Sequence, residues 1–156
     1  MKSLRVVIGS DHAAVALKAD VAALLRAAGH KVEEFGARSE EPVDYPDVAG
    51  EVARKVAAGG AEFGILCCGT GIGMSIAANK IPGIRASLCH DVTTARLARL
   101  HNDANVLCMG GRTTGTETAR DIVRTWLSTQ YEGGRHTARV EKITALEEAP
   151  ARRAER

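Results

Sequence analysis

Aromatic side chains are scarce in this chain. Among 156 residues only Phe35, Tyr45, Phe63, Trp126 and Tyr131 are Phe, Tyr or Trp, which leaves few large flat surfaces on which nucleic-acid bases could stack. Long apolar runs are missing too: no stretch reaches the roughly 18 residues of a membrane span. Neither sign of charge is in excess. Twenty-one Lys and Arg against 19 Asp and Glu leave a formal charge of +2, so no bulk field draws in nucleic acid, and any anion site has to be local. Four cysteines do not make a disulfide scaffold, and no charged-then-apolar signal segment opens the chain, so a reducing cytoplasm is the expected compartment. Cys67 and Cys68 are adjacent, and neighbours on an extended strand point to opposite faces. Since no cysteine spacing matches a zinc knuckle or a redox pair, no metal is expected.

What is present describes one globular domain. A chain of this length closes a single core, and 45% hydrophobic with 26% charged residues is an ordinary globular balance. Sixteen glycines mark turns and places where backbone must approach something closely.

Along the chain, short apolar strands alternate with amphipathic helices. Leu4 to Gly9 reads as a buried strand, followed by a helix whose Ala14, Leu17, Val21, Leu24, Leu25 and Ala28 recur at helical spacing until Gly29. Lys31 to Phe35 is a second strand, Gly36 to Pro46 a polar loop, and Val48, Val52 and Val56 mark a second helix ended by Gly59 and Gly60. Phe63 to Cys67 is the third strand, with a glycine-rich turn and a helix from about Ile72 to Asn79. Ile84 to Cys89 and Asn105 to Met109 are the fourth and fifth strands, with a helix of about ten residues between them. Ala119, Ile122, Val123, Trp126 and Leu127 line a further helix, and Arg135 to about Glu148 forms the last.

The alternation predicts an α/β fold: one doubly wound, Rossmann-like, five-stranded parallel sheet in an α/β/α sandwich, with the flavodoxin-type order in which strands three, four and five follow one another outward. Residues 1–148 form the domain, with a C-terminal helix over 135–148, and residues 149–156 read as a frayed tail. Ligands of such sheets bind beyond the carboxyl ends of the strands. That directs attention to Ser10 to Ala13, Cys68 to Met74, His90 to Asp91 and Gly110 to Thr114.

The segment Cys68-Gly69-Thr70-Gly71-Ile72-Gly73-Met74-Ser75 lies between a strand and a helix. Its glycines let backbone N–H groups face a ligand, and the helix start adds positive potential, a combination able to hold a phosphate or an oxyanion. It has neither the lysine of a Walker loop nor the dinucleotide-binding spacing. At that strand end the Cys68 thiol is expected to ionise readily and to serve as nucleophile or base. Cys67, Cys89 and Cys108 read as buried filler. Asp11 suits a helix N-cap, and His12 beside it can donate to an anion or a sugar hydroxyl. His101-Asn102-Asp103 ends a helix, where a cationic imidazole is favoured. His30 and His90 read as packing or surface residues. Arg135 and Arg139, four apart on the expected last helix, would share a face suited to clamping a phosphate, with Arg112 a third cation.

Taken in order, Ser10-Asp11-His12, Asp44-Tyr45-Pro46, Cys68 to Gly73, Ile76 to Lys80, Gly83 to Ala86, His101 to Val106 and Tyr131 to His136 resemble type B ribose-5-phosphate isomerases, across residues 4–148. The resemblance implies interconversion of ribose 5-phosphate and ribulose 5-phosphate through a cis-enediolate, with no metal or organic cofactor. By the same resemblance Cys68 is the base. Another branch of the family uses a glutamate at the position held here by Met74, which puts this chain in the cysteine branch. Thr70 and the N–H groups from Gly69 to Met74, with Gly71 and Gly73 among them, would contact the reacting oxygens. His101 would assist ring opening, Asp11 would hold or polarise sugar oxygens, and Asn102 and Tyr45 would add substrate contacts. His12, Arg112, Arg135 and Arg139 match the phosphate set. A homodimer, or a tetramer built from it, with sites between subunits is implied. Two other functions stand beside this one: a hexose-6-phosphate isomerase of the allose or galactose type, and a non-catalytic phosphate-binding module.

Overall fold

The computed structural model describes residues 2–148; the expected frayed tail lies outside the described residues. Five parallel strands, β1 (Arg5–Ser10), β2 (Lys31–Gly36), β3 (Phe63–Cys68), β4 (Ala86–Leu88) and β5 (Val106–Gly110), form one sheet. Around it lie α1 (Val15–Ala27), α2 (Tyr45–Ala57), α3 (Ile72–Ala78), α4 (Val92–Asn102), α5 (Thr116–Ser128) and α6 (Thr137–Glu148). Short 3-10 turns precede α1 (His12–Ala14) and α6 (Gly134–His136).

Local chemistry accounts for the element ends. Asp11 caps the first 3-10 turn, its carboxylate accepting from Ala13 N at 3.0 Å. Gly29 and Gly59 take positive φ just beyond α1 and α2, the left-handed stop that glycine adopts freely. Pro46 sits in the first turn of α2, where its missing N–H leaves no bond unmade, so the helix begins at Tyr45, inside the segment expected to be loop.

The doubly wound parallel sheet is as expected, but the strand order is not of flavodoxin type. It runs β2-β1-β3-β5-β4, with the last two strands exchanged. All five residues of β5 are buried, and such a strand belongs inside the sheet, flanked on both sides. β4 has only three residues, all partly exposed, the profile of a short edge strand. The exchange also moves a helix. With right-handed crossovers, the outward step from β3 to β4 puts α3 beside α2, and the return step to β5 puts α4 on the opposite face, with α1 and α5. Two apolar clusters record this division. One joins Leu17, Val21, Ala95, Ala98, Ile122 and Trp126 to Val6, Ile8, Ile65 and Cys67; the other joins Val48, Val52, Met74 and Ala78 to Val7, Leu66, Cys68 and Cys108.

The last helix also differs from expectation. Gly133 and Gly134 both take positive φ, and the α-helical path starts only at Thr137. Arg135 therefore sits in the preceding 3-10 turn, and no continuous helix holds it on one face with Arg139. No residue of α6 is buried within this chain.

Candidate active site

The expected site residues divide between the two ends of the sheet. At the carboxyl end, Cys68 is the last residue of β3 and is 5% exposed. Its sulfur accepts the N–H of Gly71 at 3.1 Å. Cys67 faces the opposite core, where burial pushes its thiol up to about 12, so of the adjacent pair only Cys68 lies under the glycine loop. Burial likewise raises the Cys89 and Cys108 thiols; all four cysteines are unpaired.

The loop over Cys68 is shaped by its glycines. Gly71 has φ +78°, and a Cβ there would lie 2.8 Å from the carbonyl carbon of Met109 and 2.6 Å from Leu88 Cδ1. A Cβ on Gly73 would lie 2.5 Å from the Tyr45 ring, and one on Gly69 would lie 3.3 Å from Arg112 Nη1. Tyr45 and Arg112 thus flank the loop. The exchange of Gly111 N to Cys68 O (2.8 Å) and Arg112 N to Gly69 O (2.9 Å) ties the exit of β5 to it. Of the N–H groups expected to face a ligand, those of Gly71 and Ile72 already have partners, the Cys68 sulfur and the Thr70 hydroxyl. Met74 is fully buried in the core, consistent with a packing residue.

The first strand's exit closes the group. Asp11 is buried, with its N–H on Cys67 O at 3.3 Å. His12 accepts the N–H of Val43 on Nδ1 at 3.2 Å, which leaves the ring proton on Nε2, free to donate outward. Lys18 anchors the start of the loop after β2, the loop that contains Val43. Its buried ammonium donates to Phe35 O at 3.0 Å and Ala37 O at 2.5 Å, and desolvation lowers its pKa. Its only signal in the sequence is a charge on the apolar side of α1.

The other expected residues lie at the amino end. Helix α4 runs back from the exit of β4 to the entrance of β5, so its last turn sits beside Arg85, whose Nε donates to Asn102 O at 3.0 Å. Asn102 lines a cleft of about 590 Å³ between that region and α6, with Arg85, Ile143 and Leu146. Glu132 N donates to Leu100 O at 3.0 Å, bringing the stretch before α6 against the same turn. There His101 stacks on His136 with ring centroids 4.2 Å apart. Arg112, Arg135 and Arg139 have no carboxylate within 4.0 Å among the described residues. The five-residue length of β5 sets the two groups apart by roughly 15 Å or more, at about 3.3 Å per residue. Within one chain, therefore, the Cys68 thiol lies at one end of the sheet and His101 at the other. The reason is the antiparallel return of α4 and α5, which carry their last turns to the far edge. Glu132 and His136 were also missed; both lie in the glycine stretch whose arginines drew attention.

Known proteins give this division a context. The ribose/galactose isomerase family model matches residues 6–143. The ribose-5-phosphate isomerase B of Escherichia coli is 50% identical over 144 residues, covering 92% of this chain and 97% of that protein. The type B ribose 5-phosphate isomerase structure from Trypanosoma brucei superposes with a TM-score of 0.90 at 53% identity, covering 94% of this chain and all of that one. A protein of Pectobacterium atrosepticum named D-erythrulose-4-phosphate isomerase is 44% identical over 142 residues, 90% of this chain and 93% of that protein. With the sheet, the glycine loop and the family match running through nearly the whole described chain, this protein belongs to the ribose/galactose isomerase family.

Proposed function

We propose that this protein is an aldose–ketose isomerase interconverting ribose 5-phosphate and ribulose 5-phosphate. The observation that carries the chemistry is the buried Cys68 sulfur at the end of β3, held by the Gly71 N–H under a loop of glycines. Its thiolate takes the C2 proton of the opened aldose. The C2–H electron pair becomes the C1–C2 double bond, and the C1 carbonyl oxygen takes the negative charge. Thr70 and the loop's backbone donors stabilise that enediolate. Return of the proton to C1, with the C2 hydroxyl proton passing to O1, leaves the ketone at C2.

The residues at the amino end complete the site from a second copy of the chain. His101 of that copy assists opening of the furanose ring, Asn102 adds a hydrogen bond, and Arg135 and Arg139 meet the phosphate together with His12 and Arg112. Asp11 and Tyr45 hold the sugar beside Cys68. Such a site requires at least a homodimer; a tetramer is two such pairs. Residues 1–148 constitute the isomerase domain. The thiol chemistry suits the reducing cytoplasm, and no helix among the described residues is long and apolar enough to cross a membrane.

A different sugar phosphate is the second reading. The 44% identity to a protein named for a four-carbon substrate shows that overall similarity does not fix sugar length, and the six-carbon phosphates remain the other choice. Comparison of kcat/KM for ribose 5-phosphate, allose 6-phosphate, galactose 6-phosphate and erythrulose 4-phosphate decides between them. Ribose 5-phosphate is expected to lead, and a higher value for another sugar overturns the assignment. Cys68→Ala is expected to lower kcat by about 10²–10⁴-fold with the fold intact; near wild-type turnover removes Cys68 as the base.

A further inference from the structure

Beside His101, the amino-end group contains two residues to which isomerisation assigns no role, Glu132 and His136. Glu132 and His136 flank Gly133 and Gly134, whose positive φ values fold the chain back so that the carboxylate and imidazole meet. Glu132 Oε2 lies 3.3 Å from His136 Nε2 and 3.9 Å from His101 Nε2. The ligand atoms of the three side chains all fall within 4.8 Å of one another. His136 is 7% exposed, and its Nε2 makes no hydrogen bond, with Glu132 Oε2 3.3 Å away. A buried imidazole nitrogen left unsatisfied calls for a partner.

We propose that His101, Glu132 and His136 form a binding site for a divalent transition-metal ion of the zinc class, one that inhibits the enzyme rather than serving it. Two imidazole nitrogens and one carboxylate oxygen are a donor set such an ion takes, with bonds of about 2.0–2.2 Å and ligand atoms roughly 3.3–3.5 Å apart in a tetrahedron. The Glu132–His136 pair already has that separation. His101, half-buried at the end of α4, reaches it by a turn of its ring out of the stack. The ion occupies the His101 nitrogen, and so withdraws the group assigned above to ring opening. This consequence rests on that assignment, whereas binding itself does not.

The test is a titration of the full-length protein with Co²⁺, followed by its visible d–d absorption, and with Zn²⁺ by competition against a chromophoric chelator. One ion per chain is expected, with affinity weakened by about tenfold or more in both Glu132→Gln and His136→Gln and unchanged in Cys68→Ser. Two variants at separate positions, each checked by circular dichroism, guard against loss of fold at either one. Zinc inhibition of ribose 5-phosphate turnover, reversed by chelator, is expected to need about tenfold more zinc in Glu132→Gln, measured against that variant's own uninhibited rate. Binding insensitive to both substitutions, or abolished by Cys68→Ser, overturns the site. Failure of the isomerase reading shows instead as no turnover without metal, while the cobalt spectrum reports on the site regardless.

Discussion

Replacing Gly71 with alanine tests how the loop holds Cys68. Gly71 combines φ +78° with a position where a Cβ would lie 2.6 Å from Leu88 Cδ1, 2.8 Å from the Met109 carbonyl carbon and 2.9 Å from its oxygen. Left-handed backbone costs a residue with a Cβ about 1–2 kcal/mol. Two of the three clashing atoms belong to the backbone of β5, a fully buried strand flanked on both sides, so relief must come from the loop, and overpacking adds roughly 1–3 kcal/mol. The sum is a loss of about 2–5 kcal/mol for Gly71→Ala. Gly29 supplies the control, because its φ of +86° is similar but nothing lies within 4 Å of its missing Cβ. Gly29→Ala should therefore cost only the backbone part, about 1–2 kcal/mol. The two also separate in catalysis. A displaced loop moves the N–H that lies 3.1 Å from the Cys68 sulfur, and Gly71→Ala should lower kcat by about 10²–10³-fold, the scale of one lost donor at a developing charge. Gly29→Ala should leave kcat unchanged. Urea unfolding and steady-state kinetics on both proteins make the comparison; equal stability losses, or full activity in Gly71→Ala, would mean that Gly71 does not hold the loop over Cys68.

Two further perturbations follow from the same geometry. Lys18→Met removes a charged donor from Phe35 O and Ala37 O; it should cost about 2–4 kcal/mol and raise KM at little change in kcat, since Val43 would no longer be held on His12. An unchanged KM would count against that role. The Cys67 thiol, raised from 9.0 to about 12, ionises in the unfolded chain before it does so in the native one. Stability should hold below pH 9 and then fall as pH rises toward 12, by about 1.4 kcal/mol per pH unit for each such thiol. Cys67→Ala should make that decline shallower in alkaline unfolding curves, and an unaltered slope would argue against the buried-thiol account.

The strands and helices were legible because periodicity and glycine stops are local properties, and β1, β3 and β5 are apolar almost throughout. The exchange of β4 and β5 was not legible, because order within a sheet depends on which strand needs cover on both sides, and the expected fourth strand looked longer than the three residues that pair. Arg135 and Arg139 do not share a continuous α-helix because Gly133 and Gly134, both at positive φ, lead into a 3-10 turn that delays the α-helical path to Thr137. Cys68, Thr70 and the glycines can be singled out together because they lie in one short segment that begins at the last residue of β3. His101 is legible as the end of a helix, but only the direction of α4 tells which end of the sheet it reaches. His136 and Glu132 acquire meaning only through the turn that brings them together, and that turn leaves no periodic signal.

In the proposed function each active site takes Cys68 from one chain and His101 from another. Co-expressed Cys68→Ala and His101→Ala chains test it directly. Random pairing makes half of the dimers mixed, and each mixed dimer then has one site with both residues intact and one with neither. Two nearly inactive proteins are then expected to recover together about one quarter of wild-type activity, or about half in purified mixed dimers. Activity no greater than that of the separate variants would instead place the whole site within one chain.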